Sequence, residues 1–200
     1  MTGSRPLISY VFPIYDEAGN IDLLHDQVDA AIATMDVDVE YIFVNDGSTD
    51  DSLDRLIALS ERDTRVVVVD LARNFGHQMA VTAGIDNARG DAVIIMDADM
   101  QDPPAVSLEL IREWQAGWDV VYAQRRSRRD GAFKRATADV FYRTLGALSS
   151  VEIPRNTGDF RLVDRAVADQ LRRYGEHSRF LRAHHHPQRG PARARGGGQA

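Results

Sequence analysis

Over the first 125 residues, short runs rich in β-branched and aromatic residues alternate with stretches whose apolar positions recur every three or four residues. No other feature constrains the fold as strongly. The runs "LISYVFPIY", "VEYIFVND", "RVVVVDLA", "DAVIIMDAD" and "WDVVYAQR" read as strands. Between the first two, "NIDLLHDQVDAAIATM" places Ile21, Leu24, Val28, Ala31 and Ile32 at helical spacing, with Asp16 and Asn20 as candidate caps. "GSTDDSLDRLIALSER", "FGHQMAVTAGIDNARG" and "PPAVSLELIREWQAG" follow as helices. Proline opens the last of them, and Gly90 and Gly117 are expected just beyond the ends of the last two. This β-α-β-α order predicts a mainly parallel, Rossmann-like α/β sheet flanked by helices. Pro13 is expected to terminate the first strand, and the all-valine third run to be covered on both faces.

In parallel sheets, ligands gather outside the carboxyl ends of the strands. The chemistry-bearing residues fall there: Tyr15 and Glu17 after the first strand, Asp46 after the second, Asp97 and Asp99 after the fourth, and Arg125 after the fifth. Two positions apart, Asp97 and Asp99 would share one side of an extended chain, and paired carboxylates attract a hard divalent cation such as Mg²⁺ or Mn²⁺. Such a cation keeps positions for phosphate oxygens, so a nucleoside diphosphate is its natural companion. The competing reading is an Asp-rich turn ahead of a helix, which the same residues also make. Asp46 in "VNDGSTDDS" carries a similar ambiguity: it accepts from a base or ribose, or it belongs to a tight turn in which Ser48, Thr49 or Asp50 caps the next helix. A lone His77 at a helix start reads first as structural, with a ligand-site contact as the rival reading.

Composition narrows the class. The chain has 200 residues, 44% hydrophobic and 27% charged, as expected of one globular domain. There is no cysteine, which excludes a disulfide framework and a thiolate metal site. The start "MTGSRPLISYVFPIY" has no apolar signal region, and no run reaches the roughly 20 apolar residues of a spanning helix. Charge is unevenly divided: residues 1–120 hold 7 Lys+Arg against 23 Asp+Glu, residues 121–200 hold 17 against 7. An acidic metal-binding half facing a basic phosphate-binding half fits this, and so does a solvated surface with a basic end. The cations "RRSRR" (125–129) lack interleaved aromatics, which favours phosphate or anionic lipid over nucleic acid. Further on, "FKRATADVFYRTLGALSS" reads as an amphipathic helix able to touch a bilayer, and "NTGDFRLVDRAVADQLRRY" as a short extended piece and another helix. Residues 1–182 are read as one folded domain, and the Arg/His/Gly-rich residues 183–200 as a disordered tail.

Together, "VFPIYDEAGNI", "VNDGSTDDS", "ARNFGHQMAVTAGIDNARGDAVIIMDADMQDPP" and "IPRNTGDFRLVDR" resemble family 2 glycosyltransferases of the GT-A fold. Within that family the chain is similar to the polyprenyl-phosphate branch, the dolichol-phosphate mannose synthases and bactoprenol glucosyltransferases, from about Leu7 to Arg182. The resemblance implies inverting, metal-dependent sugar transfer from a nucleotide diphosphate sugar to a polyprenyl phosphate at the cytoplasmic face of the plasma membrane. It implies a nucleoside pocket lined by Pro13, Tyr15, Glu17, Asp46 and Ser48. Asp97, Asp99 and Gln101 would hold Mg²⁺ or Mn²⁺, Arg125 and Arg135 would grip phosphates, and Asp159 would serve as base or acceptor-orienting group. Homo-oligomerisation is left open. Where such relatives continue into membrane helices, "SRFLR" here runs into the Arg/His/Gly tail, which reads as a truncation or a changed reading frame.

Overall fold

The computed structural model describes residues 5–124 and 157–173. In chain order the elements are β1 (Leu7–Ile14), α1 (Ile21–Ile32), β2 (Asp38–Asn45), α2 (Ser52–Arg62), β3 (Val66–Asp70), α3 (His77–Asn87), β4 (Ala92–Ile95), α4 (Val106–Gln115), β5 (Val120–Gln124), β6 (Thr157–Asp164) and α5 (Arg165–Arg173). One six-stranded sheet has the order β3-β2-β1-β4-β6-β5. β1 pairs parallel with β2 and β4, and β2 pairs parallel with β3. β6 lies antiparallel between β4 and β5. The expected mainly parallel α/β sheet is therefore present, with one reversed strand inserted. The short extended piece expected at "NTGDFRLVD" is that strand. Its Gly, Asp and Arg obscure the strand pattern in the sequence, although Phe160, Arg161, Leu162 and Val163 are all buried.

The sheet separates two apolar layers. On one side Tyr10, Phe12, Tyr41 and Phe43 meet Leu24 and Val28 of α1, Leu56 and Leu59 of α2, and Leu110 and Ile111 of α4. The Phe12 and Phe43 rings stack with centroids 4.8 Å apart. Burying one such side chain contributes about 1.5–3 kcal/mol. On the other side Val11, Ile42, Val44, Ile95 and Val163 meet Ala80, Val81 and Ile85 of α3 and Ala168 and Leu171 of α5. β1 is thus covered on both faces, which explains its unbroken apolar run. The all-valine β3 is an edge strand whose central valines are only half-buried, contrary to the expectation of full cover.

Loop chemistry follows the sequence in part. Gly117 has φ of 102°, and the Gly117 and Trp118 amides donate to Trp114 and Glu113 carbonyls, a Schellman end for α4. Gly90 does not end α3, which stops at Asn87. It is small because a Cβ there would lie 2.6 Å from Ser9 Oγ and 2.7 Å from the Leu7 carbonyl oxygen. The carbonyls at the end of α3 accept from guanidinium groups of α5 instead: Arg165 Nη1 reaches the Ala88 oxygen at 3.1 Å, and Arg172 Nε the Ile85 oxygen at 3.0 Å. Cations at this end complement the helix dipole, while the opposite end of α3 points to the carboxyl edge of the sheet. Among the described residues no helix is long and apolar enough to cross a membrane.

The seat of α3 is close. A Cβ on Gly84 would lie 2.2 Å from Val11 Cγ1 and 3.2 Å from Val44 Cγ2. Gly84→Ala should therefore lower stability by about 1–3 kcal/mol through overpacking, read as a shift in urea midpoint. Unchanged stability would show that the helix lies further from the sheet.

Candidate active site

The direction of the chain changes at β1. From it, α1 and α2 lead outward through β2 to β3; α3 then carries the chain back across the sheet to β4, on the other side of β1. The gap beyond the carboxyl ends of β1 and β4 is therefore a topological switch point, where open α/β sheets bind ligands. Pro13 shapes this gap. The Ile14 carbonyl accepts from the Asp46 amide on the β2 side, and the Val11 carbonyl accepts from the Met96 amide at 3.1 Å on the β4 side. Pro13, two residues beyond Val11, turns its nitrogen to the β4 side. The next rung between the strands needs an N–H there, and proline has none. β1 nevertheless continues to Ile14, with Pro13 in register with Val44, so the proline ends only the pairing with β4.

Asp46 stands at the end of β2 and is 3% exposed. Its Oδ1 accepts from the Phe75 amide at 2.7 Å and its Oδ2 from the Gly76 amide at 2.9 Å. The carboxylate thereby holds the segment leading into α3, rather than capping α2. The next residue, Gly47, has φ of 66°, and a Cβ there would meet the Arg73 and Asn74 backbone at 2.4 and 2.5 Å. Only glycine lets these two loops approach so closely.

A second set of bonds ties the β1–α1 loop to the β2–α2 turn. Asp16, at φ of 54°, accepts from the Thr49 amide at 2.6 Å and donates its own amide to Ser48 Oγ at 3.1 Å. Asp50 accepts from the amides of Ser52 at 2.9 Å and Ala18 at 3.1 Å. The Ser52 interaction, aided by these amides, holds the Asp50 carboxyl below its ordinary range. Glu17 donates its amide to Ser52 Oγ, and its carboxylate accepts from Asn20 Nδ2 at 2.6 Å. Asp16 is thus not the α1 cap expected from its position; its carboxylate reaches across to another loop. Tyr15, beside it, is 47% exposed.

Asp97 and Asp99 lie beyond the end of β4, in a turn with Met100 at φ of 60°. Strand alternation therefore does not relate them; they sit in a turn beyond the strand. Asp97 is half-buried, whereas Asp99 is exposed and accepts from the Gln101 amide at 3.0 Å. His77, the first residue of α3, brings Nε2 to 3.8 Å from Asp97 Oδ1, next to the acidic turn, which favours the rival reading of it as a ligand-site contact. After the turn, Ser107 Oγ donates to the Pro104 carbonyl and accepts from the Tyr10 hydroxyl at 2.8 Å, anchoring the acidic loop to β1. α4 starts at Val106, so the two prolines belong to this loop and not to the helix.

β6 adds the last part. Its register sets Arg161 opposite Ile95 and Tyr122. Continued two residues, that register puts Asp159 opposite Asp97, at the carboxyl edge of the sheet. The buried Arg161 lies near Tyr122, whose hydroxyl is pushed up by burial against the pull of that cation. Arg125, Arg135, the amphipathic helix expected from Phe133 and the 183–200 tail fall outside the described residues. The fold thus brings Pro13, Tyr15, Glu17, Asp46, Ser48, Asp97, Asp99, Gln101 and the backbone of Asp159 to one edge of the sheet.

Comparison with known proteins agrees with this arrangement. The Glycosyl transferase family 2 profile matches residues 9–172. The uncharacterized glycosyltransferase YkcC of Bacillus subtilis is 44% identical over 175 residues, covering 87% of this chain and 54% of that protein. The prophage bactoprenol glucosyl transferase homolog of Escherichia coli is 40% identical over 176 residues, 88% of this chain and 58% of that protein. The chain thus spans a little over half the length of these relatives. Among solved structures, glucosyl-3-phosphoglycerate synthase of Mycobacterium tuberculosis, in complex with Mn²⁺, UDP and phosphoglyceric acid, superposes with a TM-score of 0.61. It is 24% identical, over 81% of this chain and 57% of that one, and so shows the GT-A fold. With a sheet, a switch-point crevice and a family profile in agreement, the chain belongs to glycosyl transferase family 2.

Proposed function

We propose that the protein transfers a sugar from a nucleotide diphosphate sugar to a polyprenyl phosphate, with inversion at the anomeric carbon. The observation that carries this reading is the pair Asp97 and Asp99 at the mouth of the crevice that Pro13 opens between β1 and β4. Support for the acceptor comes from the relatives named bactoprenol glucosyl transferase. Support for donor and metal comes from the fold neighbour described with Mn²⁺ and UDP.

The donor set fits a divalent cation that arrives with the substrate. Among the described residues no group of three metal-ligating side chains occurs, so a fully protein-bound site is not formed by them. Two hard carboxylates suffice for Mg²⁺ or Mn²⁺ when phosphate oxygens and water complete the shell. Asp97 and Asp99 would hold the ion, with Gln101 contributing through its backbone grip on Asp99 and through its side chain. When bound, the ion supplies stabilisation of the negative charge on the departing diphosphate.

The chain's own groups do the rest. Asp46 keeps a second lone pair on each oxygen beyond its amide bonds, and can accept from a base N–H or ribose hydroxyl. Pro13, Tyr15, Glu17 and Ser48 line the remainder of the nucleoside pocket. Arg125 and Arg135 grip the phosphates. A phosphate oxygen of the acceptor forms the new bond to the anomeric carbon as the bond to the diphosphate breaks, and the electron pair leaves with the diphosphate. A phosphate monoester is already anionic at neutral pH, so no proton need be removed. Asp159 therefore orients the acceptor rather than acting as a strong base.

Incubating the full chain with UDP-glucose or GDP-mannose, Mg²⁺ or Mn²⁺ and undecaprenyl phosphate should give a lipid-linked sugar. Transfer only to a saccharide hydroxyl, or no transfer, would overturn the reading. Asp97→Ala should lower kcat/KM by roughly a thousandfold and weaken donor binding. Asp159→Asn should lower kcat while leaving donor affinity within about twofold. Equal loss of donor affinity in the two variants would contradict this division of roles.

A further inference from the structure

We propose that Asp16 is a positioning residue for the donor: its carboxylate ties the β1–α1 loop to the β2–α2 turn and thereby holds Tyr15 and Glu17 at the crevice. The inference rests on the donor site proposed above. Asp16 lies between those two residues and adopts φ of 54°, the left-handed region that few non-glycine residues enter and that Asp and Asn reach with the help of side-chain hydrogen bonds. What holds it is reciprocal. Asp16 Oδ1 accepts from the amides of Thr49 at 2.6 Å and Asp50 at 3.3 Å and from Thr49 Oγ1 at 3.3 Å, while the Asp16 amide donates to Ser48 Oγ. The amides of Glu17 and Ala18 continue the seam to Ser52 Oγ and Asp50 Oδ2.

These bonds add little to the core. Asp16 and Tyr15 are exposed, and neither belongs to the apolar layers that fold the sheet. The two helices that follow are engaged independently of the carboxylate: the Leu24 amide donates to the Asn20 carbonyl at the start of α1, and Asp50 accepts from the Ser52 amide at the start of α2. The consequence of the clamp is local. It bends the chain between Tyr15 and Glu17 and fixes both against a turn that carries Ser48. A loop ordered in advance spares the ligand the cost of ordering it, which appears as affinity.

Three forms of the full chain test this. Asp16→Gly tolerates the left-handed backbone but removes every side-chain acceptor, and Asp16→Asn tolerates it and keeps one acceptor oxygen. Binding of UDP and of GDP, each with Mn²⁺, is measured by calorimetry, with amide hydrogen exchange followed in peptides spanning 15–20 and 48–52. The Gly variant should bind about tenfold more weakly, exchange faster in those peptides alone, and recover both properties in the Asn variant. Wild-type affinity in the Gly variant would overturn the proposal and leave the donor site standing. Faster exchange throughout the sheet in the Gly variant would also overturn it, since the role would then be structural. If the unaltered chain binds neither nucleotide, the donor reading itself fails and takes the proposal with it.

Discussion

Both carboxylate oxygens of Asp46 are bound by backbone amides, those of Phe75 and Gly76, and much of the candidate site follows from this grip. A buried carboxylate needs such donors, because removing it from water without them costs several kcal/mol. Here the donors come from the segment before α3, so the end of β2 fixes where α3 begins. The start of α3 puts His77 beside Asp97, and the packing of Gly84 on Val11 and Val44 keeps the helix close over the sheet. At its other end Arg165 engages the Ala88 carbonyl and Arg172 that of Ile85. A helix fixed at both ends and in the middle presents its N-terminus to the crevice with little freedom.

The crevice itself is a product of topology and one ring. The order β3-β2-β1-β4 places the reversal of chain direction at β1, and Pro13 withholds the N–H that would have continued pairing with β4. The reversed strand β6 then completes the edge. Because it runs antiparallel to β4, its N-terminal residues arrive where β4 ends, and Asp159 comes level with Asp97 although they are far apart in sequence. Negative charge thus collects at one edge of the sheet, which is the physical reason for expecting a cation and a diphosphate there.

The five strands and four helices of the first 125 residues could be read from apolar periodicity, since each buries one stripe or both faces and the pattern reports burial directly. The carboxyl-end position of Asp46, Asp97 and Asp99 followed from that order. Other features could not be read. β6 is legible only as a short extended piece, and its antiparallel place between β4 and β5 is not: Gly158, Asp159 and Arg161 break the alternation, which a strand flanked on both sides does not require. The place of Asp97 and Asp99 depends on a turn around Met100, not on strand alternation. Asp16 looked like a helix cap because Asp before a helix usually is one, whereas its real partners lie 33 residues onward. Gly90 looked like a helix end, but its smallness serves Ser9 across the sheet. For β6, Asp16 and Gly90 the deciding contact is distant in sequence, and local propensity carries no information about it; the turn at Met100 is local, but its positive φ falls on a residue type that does not announce it.

The central claim is that the carboxylates at this edge hold a divalent cation together with a nucleoside diphosphate. Following free Mn²⁺ by electron paramagnetic resonance, in the presence and the absence of UDP or GDP, tests it most directly. Two carboxylates alone should take up Mn²⁺ weakly, and one of the two nucleotides should strengthen uptake by tenfold or more, on the order expected when phosphate oxygens complete the shell. Uptake that neither nucleotide changes would contradict the account.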